Sequence, residues 1–286
     1  MSRRPFPSPI APSDLSLSQA ETIEWLLDRS KRRNRTVPLR RALVQDTEDG
    51  PRLRTKPGPL HQLVRSDHAL DLLLLVHAVT AGGDFSVTER AETWGRASGA
   101  SFQTDGSASV AVSRLWRKLE QLNLIKRANN GRLVKVTKLL EDGSGTPYTR
   151  PRGSDTGPRK DVYFQLPFQY WTEEMHKKLD MPAKIVMLIG MSLRQTNFAL
   201  SETPTFASWY GISEATLRRG IKKLLEKELL VKVDTETYIT GETRTGYGFR
   251  TRYTFRPPYD LNVKADREGG DSETPAETLV SPKASL

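Results

Sequence analysis

Residues 209–233 read WYGISEATLRRGIKKLLEKELLVKV. No other stretch restricts the fold as much, because it holds a turn, a basic amphipathic helix and a strand in immediate succession. Gly211 supplies a position free of Cβ clash, and Ser213 is placed to cap the helix by accepting a bond from an early backbone N–H. Leu217, Ile221, Leu224 and Leu225 fall on one helical face, whereas Thr216, Arg219, Lys222 and Lys223 fall on or near the other. One face packs and the other is positive. The run through Glu228, Leu229, Leu230 and Val231 to Val233 then suits a short strand.

An echo of this pattern lies upstream. Residues 112–128, VSRLWRKLEQLNLIKRA, align with 217–233 at a constant shift of 105 positions. The alignment pairs Arg114 with Arg219, Arg117 with Lys222, Leu119 with Leu224 and Leu124 with Leu229. Duplicated architecture is the simplest explanation; a shared helix–strand periodicity without duplication is the alternative. In the upstream copy, a helix over 107–122 puts Ala108, Ala111, Val112, Leu115, Leu119 and Leu122 on one face, capped by Asp105 or Ser107. Ser113, Arg114 and Arg117 point away from that face, and Trp116 is expected near its edge. The Asn130-Gly131 pair that follows favours a tight hairpin, which Lys126, Arg127, Arg132 and Lys135 make basic. Such a hairpin either lies against phosphates or is simply solvated. In the second copy, a Thr- and Gly-rich tip over 234–248 is followed by a return strand over 249–255, with Arg250 and Arg252 on one face.

The turn GIS, the basic LRRGIKKL and the closing EKELLVK resemble the helix-turn-helix and first wing strand of bacterial winged-helix regulators of the GntR and MarR kind. The resemblance spans a few dozen residues. It implies an α+β fold, mainly α, of tandem winged helix-turn-helix domains with β-hairpin wings and flexible termini. It also implies double-stranded DNA as the partner. Each third helix would enter a major groove, with Ser113, Arg114, Arg117, Thr216, Arg219, Lys222 and Lys223 facing base edges or phosphates. Lys126, Arg127, Arg132, Lys135, Arg250 and Arg252 would hold the adjacent backbone from the wings. Transcriptional regulation is the function implied first. Replication initiation or partition on a plasmid or other mobile element is the alternative, because some plasmid initiators place two winged helices in one chain, one often serving dimerisation. A protein-interaction scaffold is a third reading, from another class. Two units reading adjacent segments and a homodimer reading a repeated site both remain open. The second copy has the more conventional turn and the more basic helix, so Arg219→Ala is expected to cost sequence-specific binding more than Arg114→Ala.

Charge agrees with a polyanionic partner. Forty-four Lys and Arg against 34 Asp and Glu give the 286-residue chain a formal charge of +10, which favours phosphate neutralisation and counterion release, or describes a merely soluble basic protein. With no Cys there is no disulfide, thiolate metal site or cysteine nucleophile, which fits a reducing interior. A cytoplasmic, nucleoid-associated location is the expectation. The longest apolar runs, 72–76 and 185–191, fall short of the ~20 residues needed to span a bilayer, and the Pro-rich start lacks the apolar region of a secretory signal.

No catalytic chemistry declares itself. His61, His68, His77 and His176 have no metal-ligand spacing, no phosphate loop or nucleophile elbow occurs, and Gly246-Tyr247-Gly248 lacks the third Gly and the helix of a dinucleotide site. No catalytic residue, metal ligand, cofactor, membrane partner or small-molecule effector is assigned, and an enzyme is not expected.

Four segments follow. Residues 1–59 read as an arm: a Pro-rich start, a helix opening on the Ser18–Glu21 capping-box spacing, and a linker over 37–59 with a short helix near 39–44. Arg29, Lys31, Arg32, Arg33 and Arg35 at that helix end either lie along DNA phosphates, support a dimer, or form a solvated terminus. Residues 60–167 form the first domain, with a buried helix over 68–80, a second over 87–96 closed by Gly99, a mobile basic loop over 143–160 and a strand over 161–166 completing its sheet. Residues 168–258 form the second, with Pro182 in the first turn of its core helix. Residues 259–286 read as a disordered acidic tail.

Overall fold

The capping box forms as its spacing requires. In helix α1 (Gln19–Arg29), the Glu21 N–H donates to Ser18 Oγ at 3.2 Å and the Ser18 N–H donates to the Glu21 carboxylate at 2.8 Å. Ile23, Leu26 and Leu27 bury the inner face of the helix. This computed structural model describes residues 17–46, 56–99, 108–130, 133–152, 161–241 and 244–261. Residues 262–286 of the expected acidic tail, the Pro-rich start and residues 153–160 of the basic loop lie outside them; the tail expected from 259 begins later, because Tyr259 packs into the core.

Two six-element units carry the rest. The first runs α2 (Asp67–Val79), β2 (Ser86–Arg90), α3 (Ala91–Ser98), α4 (Ala108–Gln121), β3 (Ile125–Asn130) and β4 (Leu133–Lys138), with antiparallel strands in the order β2-β4-β3. After a connection that carries strand β5 (Tyr163–Pro167) and the short helices α5 (Gln169–Thr172) and α6 (Met175–Lys178), the second runs α7 (Met181–Leu193), β6 (Phe198–Ala199), α8 (Pro204–Ser208), α9 (Glu214–Glu226), β7 (Leu230–Ile239) and β8 (Tyr247–Phe255), with strands in the order β6-β8-β7. Element order and sheet order are therefore the same in both.

The correspondence reaches single bonds. Asn123 and Glu228, 105 positions apart, both adopt positive φ, at 54° and 55°, in the turn that leaves the basic helix. The Leu124 N–H donates to the Leu119 carbonyl at 3.1 Å, and the Leu229 N–H to the Leu224 carbonyl at 3.0 Å. Gly99 closes α3 at φ 70° and Gly211 follows α8 at φ 63°, though these two do not match at the shift of 105; a Cβ on Gly211 would come 2.8 Å from His61 Cβ. The Leu124 and Leu229 bonds are both those of an ordinary left-handed helix cap, which the Ile212 N–H also makes to the Ala207 carbonyl at 3.2 Å, so it is the shared element order and strand order that make the two units alike.

The sequence placed several boundaries differently. Residues 87–96 do not make one helix: β2 pairs with β4 from Ser86↔Thr137 to Arg90↔Leu133, and only then does α3 begin. The strand expected to complete the first sheet, β5 (Tyr163–Pro167), pairs instead with β1 (Thr36–Arg40) in a separate two-stranded sheet. The expected linker thus contributes a strand, followed by 3-10 turns at Arg41–Leu43 and Pro59–Leu63. Its Val37, Leu39 and Leu43 are fully buried, so burial rather than local propensity decides their place. The second hairpin is longer than expected, since β7 continues to Ile239.

The core helices α2 and α7 are apolar nearly all round and are joined by charge. Lys184 Nζ donates to the Asp71 carboxylate at 2.7 Å, and the Tyr170 hydroxyl donates to the same carboxylate at 2.7 Å. A buried ion pair is strongly position-selective, because either charge left alone in the interior is costly. Buried apolar residues of both units form one continuous cluster. No helix among the described residues is long and apolar enough to cross a membrane.

Candidate nucleic-acid interface

Helix α4 buries Val112, Trp116 and Leu119, and Leu122 just beyond its end is buried with them. Trp116 does not sit at the edge: it is fully buried and stacks edge-to-face on Trp94 at 5.3 Å. That rotation of the packing stripe leaves Arg114 and Arg117 exposed on the outer face, with Ser113 half-buried beside them. Among the described residues no carboxylate pairs with either arginine. On the hairpin behind, Lys126 is exposed, Arg127 donates to the Glu120 carboxylate at 3.0 Å and Lys135 to Asp84 at 2.6 Å. The Lys135 bond, with help from the Ser86 hydroxyl, holds the Asp84 carboxyl down at about 2. Asn130 pairs with Leu133 across the hairpin; Arg132 lies outside the described residues.

Helix α9 presents its cations differently. The Ser213 hydroxyl accepts the Thr216 N–H at 3.1 Å, and the Thr216 hydroxyl lies 2.9 Å from it, so Thr216 takes part in the cap. Arg219 lies 3.7 Å from Asp180, Lys222 3.9 Å and Lys223 3.7 Å from Glu226. Arg218 contacts both Glu214 and, at 3.3 Å, Glu202. On β8, Arg252 donates to Glu236 at 2.6 Å, and Arg250 stacks over the Tyr238 ring at 5.0 Å. The two arginines share a face, as alternation required.

The arm residues divide. Arg32 turns inward and donates to the carbonyls of His77 at 2.8 Å and Ala78 at 2.7 Å, closing the C-terminal end of α2. Arg29 pairs with Glu89, and Arg35 stacks over Phe168 at 5.4 Å. These three hold the fold together; Lys31 and Arg33 are exposed.

Inside the first unit lies a charged cluster that sequence reasoning did not find. Arg40 donates to Glu141 at 3.0 Å and to Asp161 at 3.1 Å, and Lys138 donates to the Thr80 carbonyl at 2.8 Å beneath the Tyr148 ring. Burial, reinforced by Arg32, lowers the Lys138 ammonium to about 7, and burial raises the Glu141 carboxyl. His77, 3.8 Å from Glu141, is held well below its ordinary value, first by burial and then by Lys138. Residues 143–152 of the expected loop cover this cluster through the buried Tyr148.

Among the described residues no group of three His, Asp or Glu gathers as a metal site. No protein-family model, characterised protein or solved structure matches the chain.

Proposed function

We propose that the chain is a sequence-specific double-stranded DNA-binding protein, a transcriptional regulator built of two winged helix-turn-helix units. The observation that carries this reading is the repeated order helix, strand, helix, helix, strand, strand, with an exposed basic face on the third helix of each copy. In such a unit the first two helices and the sheet bury one side of the third, and its free side has the width to enter a major groove. The β3–β4 and β7–β8 hairpins then play the wings. Charge supports the same partner: the surplus of cations is a source of sequence-independent affinity, on which base contacts impose preference. The assignment of regulation, rather than another DNA transaction, follows from the resemblance of 209–233 to bacterial regulators and is analogy from fold.

Selection of bound fragments from random and genomic duplexes by the purified chain tests the reading. Enrichment of one motif, located upstream of genes, is the expected result. Enrichment of repeats at a replication origin would replace regulation with initiation, and recovery of no duplex would overturn DNA binding.

A further inference from the structure

The two third helices differ in what surrounds their cations, and the difference opposes the ranking that sequence suggests. From Arg218 to Lys223, every cation on α9 has a carboxylate within 4 Å, supplied by Glu202, Glu214, Asp180 or Glu226. These pairs are exposed and individually weak. Their carboxylates are nevertheless fixed beside the helix, and a phosphate approaching Arg219 or Lys222 meets Asp180 and Glu226 as well. On α4 the acid within the helix, Glu120, is engaged by Arg127, and among the described residues no carboxylate pairs with Arg114, Arg117 or Lys118. Coulomb attraction toward a polyanion therefore favours the first unit at short range.

The same outer face of α4 holds a second unexplained feature. Val110 is 49% exposed, one turn before Arg114. Val110, Ser113, Arg114 and Arg117 follow helical spacing and form one short stripe. A guanidinium fork suits guanine, and an exposed valine suits the thymine methyl. Polar and apolar readers thus stand side by side where no packing demands the valine.

Resting on the DNA-binding reading above, we infer that the Val110–Ser113–Arg114–Arg117 face of the first unit reads base sequence, while α9 of the second unit is an electrostatically damped, sequence-tolerant contact. Lys126 on the following strand is placed to hold the adjacent phosphate.

The test compares affinity for a selected duplex and for an unselected one, both measured with the full chain. Val110, Arg114, Arg219 and Glu226 are exposed and Asp180 is a half-buried helix cap, so the folding of every variant is checked by circular dichroism and thermal unfolding. Arg114→Ala is expected to lower the ratio of the two affinities about tenfold or more, and Val110→Ser to weaken preference at a thymine position. Arg219→Ala is expected to change the ratio by no more than about twofold. Asp180 caps α7 by accepting the Ala183 N–H at 3.1 Å, a bond asparagine can keep; Glu226→Gln with Asp180→Asn is expected to raise affinity for both duplexes alike at low salt. A loss of ratio in Arg219→Ala equal to or larger than that in Arg114→Ala would overturn the assignment while leaving DNA binding intact. A wild-type chain that binds neither duplex would overturn the DNA-binding reading, and this assignment with it.

Discussion

Lys138 is the residue at which folding works hardest against its own chemistry. Its ammonium is buried beneath Tyr148, with one carbonyl as acceptor and Arg32 and Arg40 as unfavourable neighbours. A folded-state value of about 7 against an ordinary 10.5 means that, between those limits, the unfolded chain holds a proton the folded chain has released. Stability therefore rises as pH climbs from about 7, and the full burial penalty is present below it. Urea unfolding at pH 7 and pH 9 should show a rising midpoint for the wild type and a flatter one for Lys138→Met. Parallel behaviour in the two proteins would show that Lys138 stays charged in the fold. His176 acts at the acid end: burial lowers it to about 4, so stability falls as pH drops from 6.5 toward that value. The charged cluster around Lys138 was not legible in the sequence, because Arg40, His77 and the Lys138–Glu141 pair come from three separate segments; Arg40, Lys138 and Glu141 each look like ordinary surface residues, and His77 like a packed residue of its apolar helix.

At the scale of elements, the approach of α9 to α7 depends on a missing side chain. A Cβ on Gly220 would come 2.4 Å from the Pro182 carbonyl oxygen and 2.4 Å from Val186 Cγ2. Alanine at an ordinary helical site gains up to about 1 kcal/mol over glycine; here overpacking of about 1–3 kcal/mol wins. Gly220→Ala is expected to destabilise the chain in denaturant unfolding, and an unchanged or raised midpoint would contradict the close packing of these helices. The amphipathic helices themselves were legible, because Leu217, Ile221 and Leu224 repeat at helical spacing and are buried accordingly. The strands β2 and β6 were not. Five and two residues long, they owe their conformation to β4 and β8, which lie far along the chain. Trp116 was misplaced for a related reason: its partner Trp94 belongs to another helix, and periodicity on α4 alone could not reveal it.

For the whole molecule, two units of the same element order, each with an exposed basic helix, sit in a chain whose formal charge is +10. The cations of the candidate interface were legible one by one, but their neutralisation was only partly so. Glu226 stands three and four positions from Lys223 and Lys222, where helical spacing makes it a partner. Asp180 reaches Arg219 only through tertiary packing. The proposed binding requires these faces to neutralise the phosphates of duplex DNA, and its salt dependence measures that directly. Each neutralised phosphate adds about −0.9 to the slope of log affinity on log salt concentration. For the full chain on a selected duplex, we predict a slope steeper than about −3, the contribution of roughly four contacts shared between α4 and the hairpins. A slope near zero would show that the basic faces do not meet phosphate, and would overturn DNA binding through them.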